Sequence, residues 1–195
     1  MTAQQALNAL INNPLTFLRK NALTPYAAQG RSAGAVQYRM VSSDDTVTRP
    51  GTVLGNLKTH NDGQRFKMRA DNFEAGTSFQ AVYIPVQSSD KLSFPHPLPS
   101  NGPRIMITTQ LTGCCMLMMK MGEVVGVAHL QPTGETGNEL HARLGTNLKV
   151  YGRPDYGNSR AIFIGIRTAN RWRFYAQRIG DGYGRTILGA EEISL

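Results

Sequence analysis

The spacing of apolar positions divides the chain into two short helical stretches, a long series of strands and one later helix. Ala6, Leu7 and Leu10 share a helical face behind Thr2, a residue type that caps helix N-termini, and the stretch ends near Asn12-Asn13-Pro14. Leu15 to Leu23 reads as a second short helix, Tyr26 to Gly34 as a loop and Val36 to Val41 as a strand. Ser42 to Gly63 carries DD, RPG and NDG turn signals around a possible strand at Thr52 to Leu57, a pattern of scaffold or loop. Phe79 to Val86 alternates as a strand does. Phe79, Ala81 and Tyr83 take one face, Val82 and Ile84 the other, and Pro85 marks an edge or an end.

Gln87 to Pro103 has four Ser, four Pro and no periodicity, a long loop of the kind that borders a site or contacts a partner. It leads into a strand at Ile105 to Gln110, a break at Thr112-Gly113, an apolar run from Cys114 to Met119, a turn at Gly122 and a returning strand from Val124 to Leu130. Thr136 to Leu144 has helical character, with Glu139 and Arg143 spaced for an i,i+4 ion pair. Lys149 to Tyr151 is a short strand before a turn-rich stretch to Ser159. Ala161 to Arg167 and Trp172 to Ile179 form an antiparallel pair around Ala169-Asn170, and Arg185 to Leu188 adds a strand. Gly180 to Gly184 is a turn, since no helical pattern follows it as a dinucleotide fingerprint requires. The expected fold is α/β in the α+β sense: one domain over residues 1–195, with a mixed or antiparallel β-sandwich core flanked by helices.

Composition narrows the function classes. The 195 residues are 41% hydrophobic, and no apolar run reaches the ~20 residues of a membrane-spanning helix. Two adjacent cysteines supply no disulfide framework, which suits a reducing cytosol. The first residues lack the positive segment of a Sec-type signal peptide. The net charge of +8 is spread out: ten Lys/Arg against six Asp/Glu in residues 1–100, four against three in 101–150, and seven against four in 151–195. No basic tail is present, so nucleic acid is not the expected partner. Arg160, Arg167, Arg171, Arg173 and Arg178 flank apolar strand positions and offer charge for docking an acidic protein.

The chemistry concentrates between Arg104 and Pro132. A reversal centred between Met121 and Gly122 pairs Lys120 with Glu123 and sets Cys114 directly opposite His129, where Cβ atoms are about 4.5–5.5 Å apart. Cys and His at that distance are a nucleophile and its base, and an imidazolium beside the thiol lowers its pKa. A three-residue loop with a Gly122 bulge would instead set Cys114 opposite Ala128 and turn His129 away. Cys115 points to the other face, as a small buried hydrophobe. Zinc chemistry is disfavoured, because no Cys-x-x-Cys or His-x-x-x-His pair accompanies these residues.

Leu111-Thr112-Gly113-Cys114, followed by a histidine on the next strand, resembles the Leu-Ser-Gly-Cys signature of the cytotoxic necrotizing factor and Burkholderia lethal factor group of toxin deamidases, with Thr in place of Ser. The family's catalytic cysteine matches Cys114 and its histidine His129, fifteen residues on; the threonine six residues before the cysteine in the lethal factor type matches Thr108. The resemblance covers about thirty residues. It implies an α/β fold on a β-sandwich and hydrolysis of a host-protein glutamine side chain to glutamate, without cofactor or metal, by a monomeric toxin or effector that is secreted or delivered into a host cytosol. In that reading Thr108 orients the imidazole, and backbone N–H groups at Thr112-Gly113-Cys114 stabilise the oxyanion, with Gly113 allowing close approach. Two other readings use the same chain: a chemoreceptor-type glutamine deamidase, and a non-catalytic β-sandwich binding module that acts through its basic C-terminal strands.

Overall fold

Thr2 opens the first helix, α1 (Ala3–Asn12), through a capping box: its hydroxyl accepts from the Gln5 N–H while the Gln5 side chain accepts from the Thr2 N–H. Pro14 begins α2 (Pro14–Lys20), where the missing N–H costs nothing. This computed structural model describes residues 1–53, 56–91, 94–146, 148–169, 171–180 and 184–195. Strands follow as β1 (Ala22–Pro25), β2 (Gly34–Val53), β3 (Asn56–Arg69), β4 (Thr77–Ile84), β5 (Val86–Ser88), β6 (His96–Pro97), β7 (Ile105–Thr108), β8 (Cys115–Met121) and β9 (Val124–Gln131). Then come helix α3 (Gly137–Gly145), β10 (Lys149–Tyr151), the one-turn helix α4 (Arg153–Tyr156), β11 (Arg160–Thr168), β12 (Arg171–Ile179) and β13 (Ile187–Ile193).

The strands form two sheets. Eight run in the order β1-β3-β2-β4-β7-β11-β12-β13, and the second sheet has the order β10-β8-β9-β5, with β6 also on β9. The larger sheet curls until its ends nearly meet: Thr48 of β2 bridges to Thr186, and its N–H donates to the Arg185 carbonyl at 2.7 Å. Inside the curl, Leu7, Leu10, Phe17 and Leu18 of the helices pack on Tyr38, Met40, Phe66, Ile164 and Tyr175. The other face of this sheet, with Val82, Ile84, Met106, Phe163 and Phe174, packs on Met116, Met118 and Val127 of the smaller sheet. Cys115, Leu117, Ala128 and Leu130 look the other way, onto Leu140 and Leu144 of α3. The result is the expected α+β architecture, a sandwich of two sheets with a helical layer on each outer side.

Several local expectations change. The region from Ser42 to Gly63 is not loop but most of a long β2–β3 hairpin; its Leu54 and Gly55 lie outside the described residues. Asp44-Asp45 makes no turn because a register shift between Ser43 and Thr46 absorbs the two residues, and Asp45 pairs with Arg65 at 2.8 Å and Arg185 at 3.1 Å. Asp62 of the NDG signal stays in strand and pairs with Arg49 at 2.8 Å. The second helix stops at Lys20, and Ala22 and Leu23 join β1, pairing parallel with Arg65 and Phe66. Arg143 bonds Glu135 at 2.6 Å instead of Glu139, whose carboxylate accepts from the Thr136 N–H in the α3 capping box. Asn170 and residues 181–183 of the two expected C-terminal turns lie outside the described residues.

One buried amide ties the helices to the sheet. Gln177 of β12, fully buried, donates to the carbonyls of Leu18 and Asn21 and accepts from the Leu23 N–H at 3.0 Å, at the junction where α2 becomes β1. Gln177→Leu keeps the volume and removes all three bonds. Unpaired buried backbone groups make it destabilising by about 2–4 kcal/mol, read as a lower urea midpoint with an unchanged slope.

Candidate functional site

The β8–β9 reversal sets the register of the whole site. Met121 pairs with Val124, leaving Gly122-Glu123 as a two-residue loop, and Met116 stands opposite His129. Neither expected register is formed. Gly122 has φ +63° and Glu123 has no positive φ, the arrangement of a type II′ turn, which takes glycine at its first central position. A loop of Met121-Gly122 would have put the positive φ on methionine, a larger cost than a surface Lys120–Glu123 pair returns. Lys120 accordingly pairs with Val125. The shift is two residues, so faces are conserved: Cys114 and His129 still look toward the larger sheet, but as diagonal neighbours, about 7–8 Å apart in a regular ladder.

His129 is held by the larger sheet. Ile84 is the last residue of β4 and pairs with Thr108 of β7; two residues later Val86 pairs with His129 of β9. The chain thus steps from one sheet to the other through Pro85, which has no N–H to leave unpaired at the corner, and Thr108 and His129 are set face to face across the sandwich. The Thr108 Oγ1 donates to the Ile84 carbonyl at 2.8 Å and lies 2.6 Å from His129 Nδ1. A hydroxyl has one proton, so Thr108 accepts from Nδ1–H, and the imidazole is the tautomer whose Nε2 carries the lone pair. Nε2 is buried, and among the described residues it has no hydrogen-bond partner. Burial lowers the His129 pKa from 6.5 to about 4, so at neutral pH the ring is an uncharged acceptor.

Cys114 sits just before β8, half-buried beside the inter-sheet core, and makes no hydrogen bond to Nε2. Burial raises its pKa, and a hydrogen bond from the Thr112 backbone opposes this only in part. The expected imidazolium-lowered thiol is therefore absent: desolvation keeps both partners neutral. Cys115 is fully buried, its Sγ 3.8 Å from the Gly137 carbonyl, and burial pushes its pKa up to about 12. Leu111 is buried and exchanges two backbone hydrogen bonds with Ala161, while Thr112 is exposed.

Tyr156 is the site residue that sequence reasoning passed over. Its hydroxyl accepts from the Gly113 N–H at 2.8 Å and donates to the Cys114 carbonyl at 2.9 Å. It came from a stretch read only as a turn, and no motif pointed to it. The Gly113 N–H is therefore engaged, which corrects its assignment to the oxyanion site. Glycine is required there for its φ of +132°, not for close approach, since the space a Cβ would occupy is open.

No protein-family model matches this chain, and neither does any curated protein. The fold brings Thr108, Leu111, Cys114 and His129 to one end of the sandwich.

The arginines do not form one patch. Arg167 is buried, and its guanidinium donates to the carbonyls of Ser100, Gly102 and Ala169, so it holds the preceding loop in place instead of facing a partner. Arg160 and Arg171 are exposed at opposite ends of the β11–β12 pair. Arg173 lies 3.7 Å from Glu192 on the helix-bearing face, and Arg178 is on the other face. Of the Gln87 to Pro103 loop, whose Leu92 and Ser93 lie outside the described residues, Gln87 and Ser88 belong to β5, whose first residue Val86 borders His129; Trp172 Nε1 pins Pro99 at 2.9 Å.

The neutral His129 makes stability depend on pH. Its folded-state pKa lies below its ordinary value, so as pH falls the unfolded chain takes up this proton first. The stabilisation is complete above about pH 6.5 and is lost toward pH 4, with a size on the order of 3 kcal/mol. The carboxylates of Asp45 and Asp62, held below 3.8 by their hydrogen bonds to Ser43 and Arg49, lose theirs in a more acidic window. Urea unfolding between pH 6.5 and 4 should show the slope in the native chain and a flatter dependence in His129→Gln.

Proposed function

We propose that the protein is a protein-glutamine deamidase that uses Cys114 as nucleophile, His129 as general base and acid, and Thr108 to orient the imidazole. The observation that carries this reading is the Thr108–His129 hydrogen bond, because with the Thr108 proton given to Ile84 it leaves Nε2 as a bare acceptor on the face shared with Cys114. A structural histidine in a core normally has its polar atoms paired. An unpaired lone pair beside a half-buried thiol is what a proton transfer requires.

The resting state is thiol and neutral imidazole. When a substrate carboxamide enters, rotation of the thiol onto Nε2 lets His129 take the proton as Sγ attacks the carboxamide carbon, so the ion pair forms only in contact. The tetrahedral intermediate collapses as His129 returns the proton to the leaving nitrogen, releasing ammonia and a thioester. Water, deprotonated by His129, then hydrolyses the thioester to glutamate and regenerates the thiol. No cofactor takes part. The motif resemblance makes the substrate a host protein and the chain a secreted or delivered bacterial toxin or effector. Among the described residues no helix is long and apolar enough to cross a membrane.

Intact mass spectrometry of candidate host proteins after incubation tests the reaction, since each converted side chain gains about one dalton. Cys114→Ser and His129→Ala should abolish the gain with circular dichroism unchanged, and Cys115→Ser should keep most of it. Thr108→Ser should stay close to the native rate while Thr108→Val falls by about 100-fold, because only the hydroxyl sets the tautomer. Equal loss in Cys115→Ser and Cys114→Ser would reassign the nucleophile.

Alkylation of free Cys114 by iodoacetamide reports the resting thiol. Its rate should rise with pH through an apparent pKa above that of an ordinary thiol, and His129→Ala should change this little, because burial and not the imidazole sets it. A profile centred well below the ordinary thiol value would mean that a thiolate–imidazolium pair already exists. A thiol inert at every pH, with no substrate found, would favour the binding module.

A further inference from the structure

The geometry points to Tyr156 as a positioning residue that clamps the turn carrying the nucleophile and reserves the Gly113 N–H, so that the Cys114 N–H is the backbone donor left for the oxyanion. This rests on the reading of Cys114 as a nucleophile. The hydroxyl of Tyr156 contacts the backbone on both sides of Cys114: it accepts from the Gly113 N–H at 2.8 Å and donates to the Cys114 carbonyl at 2.9 Å. One side chain thus holds the Thr112–Gly113 and Cys114–Cys115 peptides, on either side of the peptide that carries the Cys114 N–H. The thiol, which has a hydrogen bond from the Thr112 backbone, leaves that bond by turning about its own side-chain torsion.

The clamp is itself held. Tyr156 is 2% exposed, with its ring centroid 6.1 Å from that of Tyr151 and the Arg153 guanidinium 5.9 Å from its ring. Burial pushes its phenol up to about 12, so the hydroxyl keeps its proton through the neutral range and can serve as donor and acceptor together. Among the described residues the Cys114 N–H donates to no group, while Leu111, two residues before Gly113, is bonded both ways to Ala161. A rigid turn therefore presents one unused N–H at the nucleophile's own residue, the placement that lets an attacking atom and an oxyanion donor share one rigid unit.

In the proposed step the Sγ–C bond forms, the carbonyl π pair moves onto oxygen, and that oxygen accepts from the Cys114 N–H. A ¹⁵N-labelled protein and a peptide carrying an aldehyde in place of the glutamine carboxamide test this. Addition of Sγ to the aldehyde gives a thiohemiacetal, the thiol proton passing to the oxygen. The Cys114 amide proton should then move downfield while the Gly113 amide stays put. In the free protein, amide hydrogen exchange should find Gly113 protected and Cys114 not.

Tyr156→Phe keeps the ring contacts and should lose the Gly113 protection, with kcat for deamidation lower by about tenfold or more and KM unchanged. Movement of the Gly113 amide in the adduct, movement of neither amide, or native exchange and turnover in Tyr156→Phe would overturn the assignment. Failure of the aldehyde to add to Cys114 would overturn the nucleophile reading beneath it, an outcome visible by intact mass before any amide is examined.

Discussion

The Thr108 hydroxyl has one proton, and the carbonyl that takes it belongs to the residue before the chain changes sheets. From that constraint follow the acceptor role of Thr108 toward His129, the tautomer of the imidazole and the lone pair on Nε2. The corner at Ile84-Pro85-Val86 makes it geometrically possible. Residues two apart in sequence serve as ladder partners in different sheets, so Thr108 and His129 are brought together by a connection too short to vary. The remainder of the sandwich keeps that corner dry, with Met106, Phe163 and Phe174 on one side and Met116, Met118 and Val127 on the other.

Dryness decides the electrostatics. In a wet site a cysteine and a histidine can settle as thiolate and imidazolium, because water stabilises both ions. Between two packed sheets the desolvation cost outweighs that preference, and both groups rest neutral. The lone pair on Nε2 is the one part of this arrangement that a purely structural histidine would not retain, since a buried acceptor without a donor costs free energy. At His129 the protein tolerates that cost on the face shared with a thiol that the fold holds half-buried.

Arg167, which the sequence offered for docking, is used instead to hold the scaffold, as is the buried Gln177. Arg167 gathers three carbonyls of the 100–102 and 169 segments, and Gln177 fastens the helical layer to β12. Tyr156, by contrast, came from a stretch read as a plain turn and bonds the backbone at both Gly113 and Cys114. Burial separates these cases: a guanidinium beside unpaired carbonyls is drawn to them, and a phenol with both donor and acceptor capacity fits where a turn leaves one group of each kind.

Much of the fold is legible in the sequence because local physics decides it. The Thr2 cap and the Ala6, Leu7, Leu10 face specify α1, the alternation from Phe79 to Ile84 specifies which side chains meet which core, and Pro85 ends that strand. The candidate pair Thr108 and His129 was likewise visible, though only as a spacing within a motif. What the sequence left open is the match between distant segments. The β8–β9 register turned on which residue could take a positive φ, the β2–β3 hairpin on register shifts that absorb apparent turn signals, and the state of Cys114 on how much water a finished sandwich excludes. Tyr156 and Cys114 are forty-two residues apart, and nothing in the composition of either segment encodes the other. Capping, alternation and proline are properties of neighbours along the chain and act before the fold exists; register, tautomer and desolvation come from contacts that only the closed sandwich supplies.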